Sequence, residues 1–495
     1  MEIQPQADSN ASLRRAIYGI LICVGIGGVI GRILAVDKVD QRMAADGRFD
    51  RELAQKRAEL KPQGLSATEM DYALLQERTR LAVKSGVWLP FQGENDRSRW
   101  CTVRALVESD MQVPDAPYAI DRVIELPGWD TIDKVKRNGH FYSDKPPLLP
   151  TLMAAEYWVI YEATGMTLGK HPYEIGRFML VTINGACLLL VFIFTARLVE
   201  RLGTTDWGRI LVMASCVFGT FLTTFAITIN NHIPAAACTA VLLDAFVRIW
   251  LDGDRRERTF LVAGFFSAML TANDFPAVTL SAVVSLVVLW LAPRKTLLAY
   301  LPPALVVTAA SLGTNWIAVQ SLTPAPMHHF QGDNWIDYPG SYWNDRQGID
   351  QCEESAAVYS FHLLVGHHGI FSLTPIWCLS LLGGGLWLFR EDKRLKQLAG
   401  FALGVTLVCV ALYIWCPWID RVYGGVACAF RYLFWMAPMW LMLMLPAADL
   451  MSRRSWTRGI ALTLLALSAL SASYPTWNPW TSPWIMNYMG YMGWL

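Results

Sequence analysis

The chain has 495 residues, 54% of them hydrophobic, with 21 tryptophans and a formal net charge of +1. An apolar excess of that size over soluble globular composition indicates an all-α polytopic membrane protein with one sizeable polar loop. A charge so near zero gives no argument for nucleic acid as a partner, and the lipid bilayer is the first partner implied.

In chain order, Arg14 and Arg15 precede an apolar run from Ala16 to Ala35, long enough to span a bilayer. No small-residue cleavage site follows, so the run reads as a retained anchor, and residues 1–35 form a short tail and first span. Residues 36–173 are the polar loop. Asp50–Lys84 is charged and carries helical periodicity through Leu53, Leu60, Leu74, Leu75 and Leu81. LKPQGLSATE interrupts it, with Ser66 as an N-cap for Ala67–Lys84, which predicts an amphipathic helical hairpin on the outer surface.

Two strings in this loop hold the best candidates for chemistry: NDRSRWCTVRALVE (Asn95–Glu108) and HFYSDKPPLLPTL (His140–Leu152). From Ser98 onward the first looks helical, so Asp96 falls near a helix start, where a carboxylate serves either as a cap or as a general base. In the second, Pro146 and Pro147 forbid regular helix and push Lys145 into an extended conformation. Beside Tyr142 and His140, Lys145 is placed either as a phosphate clamp or as a snorkelling side chain at a proline turn. Leu148–Ala163 is apolar but short of a comfortable span. It reads as an interfacial helix with Glu156 and Glu162 toward water.

Apolar segments then predict six spans within residues 174–320 (Gly176–Val199, Ile210–Ile229, Pro234–Trp250, Phe260–Ala272, Ala277–Leu291 and Leu298–Gln320). Residues 321–373 form an outer loop. Four more spans lie in residues 374–473 (Thr374–Phe389, Leu398–Trp415, Leu433–Leu450 and Ile460–Ser473), for about 11 in all. The connections RLVERLGTTDWGR, DGDRRERT, APRKT, REDKRLKQ and SRRSWTR are basic, and the alternate ones (TINNHI, TANDFP, CPWIDRVYGGVACAFRY) carry few Lys or Arg. The positive-inside rule puts the basic set and the N-terminus in the cytoplasm of a cell with an inner membrane, and the polar loop on the extracytoplasmic face. The tail, residues 474–495, is dense in Trp and Tyr and reads as an aromatic belt at the outer interface.

Ten cysteines show no CxxC pair and no metal-type spacing. Cys101, Cys352, Cys416 and Cys428 fall in or near outer loops, where a disulfide is chemically allowed but not assignable. Arg431 begins a span after YGGVACAF, placed to meet a lipid phosphate or to snorkel. His367 and His368, in VGHHGIFSLTP, line an acceptor side or serve packing; a bare His-His pair is poor ligand geometry, so no metal site is assigned. His232 in NNHIP and Asp274 in ANDFP read as structural groups at helix junctions.

The two strings resemble the first outer loop of GT-C membrane glycosyltransferases, in the branch of the protein mannosyltransferases and aminoarabinose transferases. That branch carries D-E-x-R-Y after its first membrane helix and Y-x-E-K-P-P before an interfacial helix. Here Asp96, Arg99 and Trp100 match the first motif; Tyr142, Asp144, Lys145, Pro146 and Pro147 match the second. Arg97 stands in place of the second acid, Asp144 shortens the glutamate, and about 60 residues separate the first span from Asp96, where the family usually has few. Glu94, Asp110 and Asp130 therefore stay open as alternative acids.

The resemblance implies a polyprenyl-phosphate sugar donor, Asp96 as the catalytic carboxylate, and Lys145 on the donor phosphate with Arg99, Tyr142, Asp144 and Arg431 near it. The acceptor (protein, lipid or polysaccharide) is not specified. No cofactor is required; a divalent cation is compatible but not indicated. Two rivals stand beside this expectation: a transporter or flippase of a lipid-linked substrate, and an inactive scaffold of the same architecture.

Overall fold

The computed structural model describes residues 10–35, 53–77 except 68, 71, 72 and 75, 93–126, 128–329, 334–351, 354–417, 421–475 and 478–494. Among these residues the chain is helical, with one two-stranded antiparallel sheet in the polar loop, Lys134–Arg137 against His140–Ser143. The hairpin turns through Asn138 and Gly139, both at positive φ (50° and 89°), as a tight two-residue turn requires. The all-helical expectation missed this hairpin because four-residue strands carry little periodicity.

All eleven expected apolar segments contain helix. Among the described residues, six helices are long and apolar enough to cross a membrane: Ala11–Ala35, Pro172–Leu202, His232–Trp250, Pro293–Val319, Lys393–Ile414 and Arg431–Met451. The chain is thus a multi-pass membrane protein. Phe275–Leu291 and Pro375–Leu388 are shorter apolar helices, and Asp206–Phe218, Glu257–Asn273 and Ser455–Ser473 complete the bundle.

His232–Trp250 is the central helix, buried along its whole length except at Arg248. It packs against Glu257–Asn273, Ala186–Leu202 and Arg431–Met451. Glycines permit the closest backbone approaches in the bundle. A Cβ at Gly264 would stand 1.9 Å from the Tyr300 carbonyl oxygen, and one at Gly383 would stand 2.0 Å from that of Leu443.

The second expected span ends early. Helix stops at Phe218, with Gly219 as its C-cap, and residues 219–231 run irregularly apart from a short 3-10 turn, Thr224–Ile227. Irregular backbone among spans must find its hydrogen bonds within the protein. Arg32 of the first helix donates to the carbonyls of Thr223 (3.1 Å) and Thr224 (3.4 Å). Asn184, in the π-helical turn Val181–Gly185, donates to those of Ala226 (2.9 Å) and Thr228 (2.8 Å).

The bundle has two polar ends. At one, Arg14 bonds Glu200 (2.5 Å) and Asp206, Arg197 bonds Asp244 (2.9 Å), and Asp449 accepts from the Thr204 and Thr205 amides (2.8 and 2.9 Å). The polar loop sits at the other, about 28 Å away along the 19-residue central helix. There the Glu94–Val107 helix packs on Leu148–Thr164 through Met153 and Tyr157. Buried Glu108 ties them, accepting from Tyr157 Oη (2.7 Å), the Leu168 amide (2.9 Å) and Arg104 Nε (2.7 Å). Leu148–Thr164 is not among the helices fit to span, and Trp158 and Val159 are exposed on it. Glu162 is exposed as expected. Glu156 is half-buried instead, because the Thr182 hydroxyl donates to it.

Of the expected Asp50–Lys84 hairpin, residues 53–60 are helical, and Ser66 and Glu69 form a reciprocal cap: Ser66 N donates to Glu69 Oε2 (2.9 Å) and Glu69 N to Ser66 Oγ (3.3 Å). The remainder lies partly outside the described residues. Cys101, Cys416 and Cys428 are free thiols. Cys101 is buried with Sγ on the Trp129 carbonyl (3.2 Å), which removes it from any pairing; Cys352 lies outside the described residues.

Candidate functional site

The Glu94–Val107 helix begins four residues before Ser98, with Gly93 as its N-cap. Asp96 lies in the first turn but does not cap it. Its Oδ1 accepts from Trp100 Nε1 (2.9 Å) one turn on and from the Ile229 amide (3.0 Å) in the irregular segment. Its Oδ2 is buried and has no hydrogen-bond partner among the described residues. Burial pushes the Asp96 carboxyl up to about 8, against the pull of the Ile229 amide, Trp100, Arg99 and Arg97.

One turn along, Arg99 is buried and held by neutral groups: the Asn95 carbonyl (2.7 Å), Asn95 Oδ1 (2.5 Å) and Asn231 Oδ1 (2.7 Å). Burial, and then the nearby Arg431 charge, lower the Arg99 guanidinium to about 10. Arg431 is buried and does not snorkel. It donates through Nε to the Gly424 carbonyl (2.9 Å), meets His232 Nε2 at 3.3 Å and lies 5.0 Å from the Trp480 ring centroid. Asn231 and His232 connect the two arginines, with Asn231 Nδ2 3.4 Å from His232 Nδ1. His232 Nδ1 is fixed by Asp274 Oδ2 at 2.7 Å. Neither Arg99 nor Arg431 makes a carboxylate ion pair among the described residues, although both are desolvated. Two such guanidiniums side by side form an anion-binding environment.

The HFYSDKPP string is strand and turn. Ser98 Oγ locks it to the helix, meeting the Asp133 carbonyl and Ser143 Oγ, each at 2.6 Å. Lys145 Nζ lies 2.8 Å from Asp133 Oδ2 and 2.7 Å from Asp144 Oδ2. The ammonium expected to wait for phosphate is therefore already flanked by two acids. Burial works to lower it, but Asp133 and Asp144 outweigh burial and hold it above the usual lysine value. Burial raises Asp133 less than Lys145 and the two arginines lower it, so it stays ionised below the ordinary range. Burial and the Asp133 charge together raise Asp144, whose Oδ1 has no partner among the described residues. Tyr142 is buried in the hairpin and lines a small cleft with Thr102, Tyr118, Lys145 and Asn315.

The structure thus brings together Asp96, Arg99, Asp144, Lys145 and Arg431. It does not gather the alternative acids. Glu94 pairs with Arg97 (2.8 Å), Asp130 is exposed and pairs with Lys134 (2.5 Å), and Asp110 is exposed. His367 and His368 are buried one step removed, against Tyr423, the neighbour of Gly424. Burial lowers them to about 4 and about 3, so both are neutral at pH 7.

Sequence reasoning missed Asp133, Asn231 and the His232–Asp274 pair as members of this group. Asp350 also faces it: Tyr342 donates to it at 2.9 Å, and burial and the Asp133 charge raise its carboxyl. The available signal was that NNHIP and ANDFP place polar groups before Pro at the same expected face. Beside Phe430 and Leu433 an apolar cavity runs past Phe221, Leu373 and Trp377 to Trp440 inside the bundle. Comparison with protein-family models and with curated proteins returned no match to this chain.

Proposed function

We propose that the chain is an inverting membrane glycosyltransferase that moves a sugar from a polyprenyl-phosphate donor to an acceptor on the extracytoplasmic face of an inner membrane. One observation carries this reading: an Arg99–Asn231–His232–Arg431 chain with both arginines buried and, among the described residues, without carboxylate counter-ions, beside a carboxylate whose second oxygen has no hydrogen-bond partner among them. The arginines suit a phosphate, and Lys145 adds charge when Asp133 or Asp144 yields it. The apolar cavity beside Arg431 suits the first part of an isoprenoid tail.

In the reaction the acceptor oxygen bonds to the anomeric carbon while the bond from that carbon to the phosphate oxygen breaks. The electron pair leaves on the polyprenyl phosphate, which Arg99 and Arg431 stabilise. The acceptor proton passes to Asp96 Oδ2. A carboxylate raised to about 8 is a far stronger base than an ordinary one, and it is ionised in a useful fraction near neutrality. The transporter reading is less favoured, because Asp244 and Asp449 of the spans are engaged at the opposite end of the bundle.

The test is sugar transfer from polyprenyl-phosphate donors in membranes holding the full chain, Asp96→Asn, Arg99→Ala or Lys145→Ala. The parent transfers, with a rate that rises with pH through about 8, and each variant falls at least 100-fold. An inactive parent, or variants that match it, refutes the proposal.

A further inference from the structure

Three imidazoles and a carboxylate meet outside the group described above. Ser355 caps the Ala356–Leu364 helix, which brings His362 to its last turn. The chain then bends through Val365–Gly369. The His362 and His367 rings stack at 3.9 Å and 18°, and His367 Nδ1 lies 2.5 Å from His368 Nδ1. Glu354, just before the helix, accepts a short hydrogen bond from the Tyr423 hydroxyl. Tyr423 stacks on His368 at 4.8 Å and meets His367 edge-on at 5.2 Å. One donor atom from each of Glu354, His362 and His367 lies within 4.8 Å of the others.

Packing alone does not call for this arrangement. A buried turn needs apolar volume, and three imidazoles bring six ring nitrogens that all want partners. The nitrogens divide in a particular way. With its proton on Nδ1, donated to His368 Nδ1, His367 keeps its Nε2 lone pair. At His362, Nδ1 meets the His367 amide at 3.5 Å, the outer limit of a hydrogen bond, and no other partner among the described residues, so that lone pair is barely used. Glu354 gives one oxygen, Oε2, to Tyr423.

We propose that Glu354, His362 and His367 bind a divalent transition-metal ion of the Zn2+ type, with His368 orienting His367 and Tyr423 orienting Glu354. Two imidazoles and one carboxylate suit Zn2+, whereas Mg2+ and Ca2+ call for oxygen ligands. Three protein ligands leave a fourth position for water. Tetrahedral coordination needs donors about 3.4 Å apart, so modest side-chain rotations complete the site. Glu354 and His362 are only half-buried, which leaves an entry path from solvent.

The ion ties the three ligands of the outer segment together, and Tyr423, which bonds Glu354 and packs on His367 and His368, links them to the turn at Tyr423–Gly425. All three residues there have positive φ (53°, 89° and 75°), and the Gly424 carbonyl holds Arg431 Nε. The ion therefore acts on the aim of Arg431 without touching it. This inference does not rest on sugar transfer, since it is read from metal binding.

The experiment uses the full chain in detergent, stripped with chelator and titrated with Zn2+ and Co2+. The expected result is one ion per chain at micromolar or tighter affinity, with visible Co2+ d–d absorption and no competition from excess Mg2+. Glu354→Gln and His362→Ala weaken binding at least 100-fold. His368→Ala weakens it about 10- to 100-fold, as loss of an orienting partner does. His328→Ala, stacked on Trp335 away from the cluster, binds like the parent. The unaltered chain gives a second readout: its melting temperature falls on stripping and recovers with Zn2+. No Co2+ absorption together with a melt indifferent to chelator and Zn2+ overturns the proposal, as does binding unchanged in both Glu354→Gln and His362→Ala.

Discussion

Asp96→Asn separates the energetic cost of the buried acid from its use. In the unfolded chain this carboxyl ionises near 3.8; in the fold it holds its proton to about 8. Between those values the folded state binds the extra proton, so stability falls as pH rises. Each pH unit of that interval costs about 1.4 kcal/mol, and the accumulated cost at pH 7 is about 4 kcal/mol. Asparagine keeps the Oδ1 acceptor for Trp100 and Ile229. At Oδ2 it places an unpartnered amide where the protonated carboxyl already has an unpartnered hydroxyl, a change of about 1 kcal/mol. The variant is then about as stable as the parent at pH 4 and about 3 kcal/mol more stable at pH 7. The assay is tryptophan-fluorescence melting of both proteins in detergent from pH 4 to 9. The melting-temperature gap opens with pH and stops growing above about 8. A gap that stays constant between pH 5 and 8 refutes the reasoning. A variant that is more stable yet inactive is the expected signature of a group kept for chemistry.

Asp133→Asn leaves Lys145 with Asp144 alone in a buried setting. It lowers the melting temperature at neutral pH, at a cost of about 3 kcal/mol, as for a broken buried ion pair. Because Asp133 is held below the ordinary carboxylate range, its contribution is lost as pH falls through that low value, and the parent–variant gap closes in acid. Arg431→Met lowers transfer about 100-fold while leaving expression intact, measured in membranes of matched protein content. Gly383→Ala forces a Cβ to 2.0 Å from the Leu443 carbonyl oxygen and destabilises by about 1–3 kcal/mol, whereas Gly385→Ala, with open space around it, melts like the parent. Gly93→Ala drives a Cβ to 2.5 Å from Trp480 and displaces the ring beneath Arg431, so it reduces transfer more than stability.

The helices were legible because apolar runs in a membrane protein are long and punctuated by Gly, Pro and charge. The runs could not tell where Ile210–Ile229 would stop, since the bonds that release residues 219–231 from helix come from Arg32 and Asn184, remote in sequence. At the site, Asp96 and Lys145 were visible by their placement beside arginines and prolines. Asp133 was not, because TIDKVK looks like any polar strand entry until Lys145 folds back onto it. Its place near a helix start suits Asp96 to a cap, whereas its partners are Trp100 and a backbone amide 133 residues away. Arg431 suits a phosphate or snorkelling by sequence, and its burial against Trp480 removes the second. The three imidazoles were seen as a pair because His362 is brought to His367 by the bend at Gly366, which no spacing announces.

The irregular segment between Phe218 and His232 sets a limit on modularity. Its carbonyls are held by the first helix and by the π turn around Asn184, and its Ile229 amide in turn holds Asp96. A graft of the polar loop onto another bundle would carry Asp96 and Trp100 but leave behind the second donor to Asp96, the Ile229 amide. For the same reason, changes at Arg32 or Asn184, which reach Asp96 through the irregular segment, are expected to be inherited together with changes at Asp96. The loop and the bundle form one heritable unit.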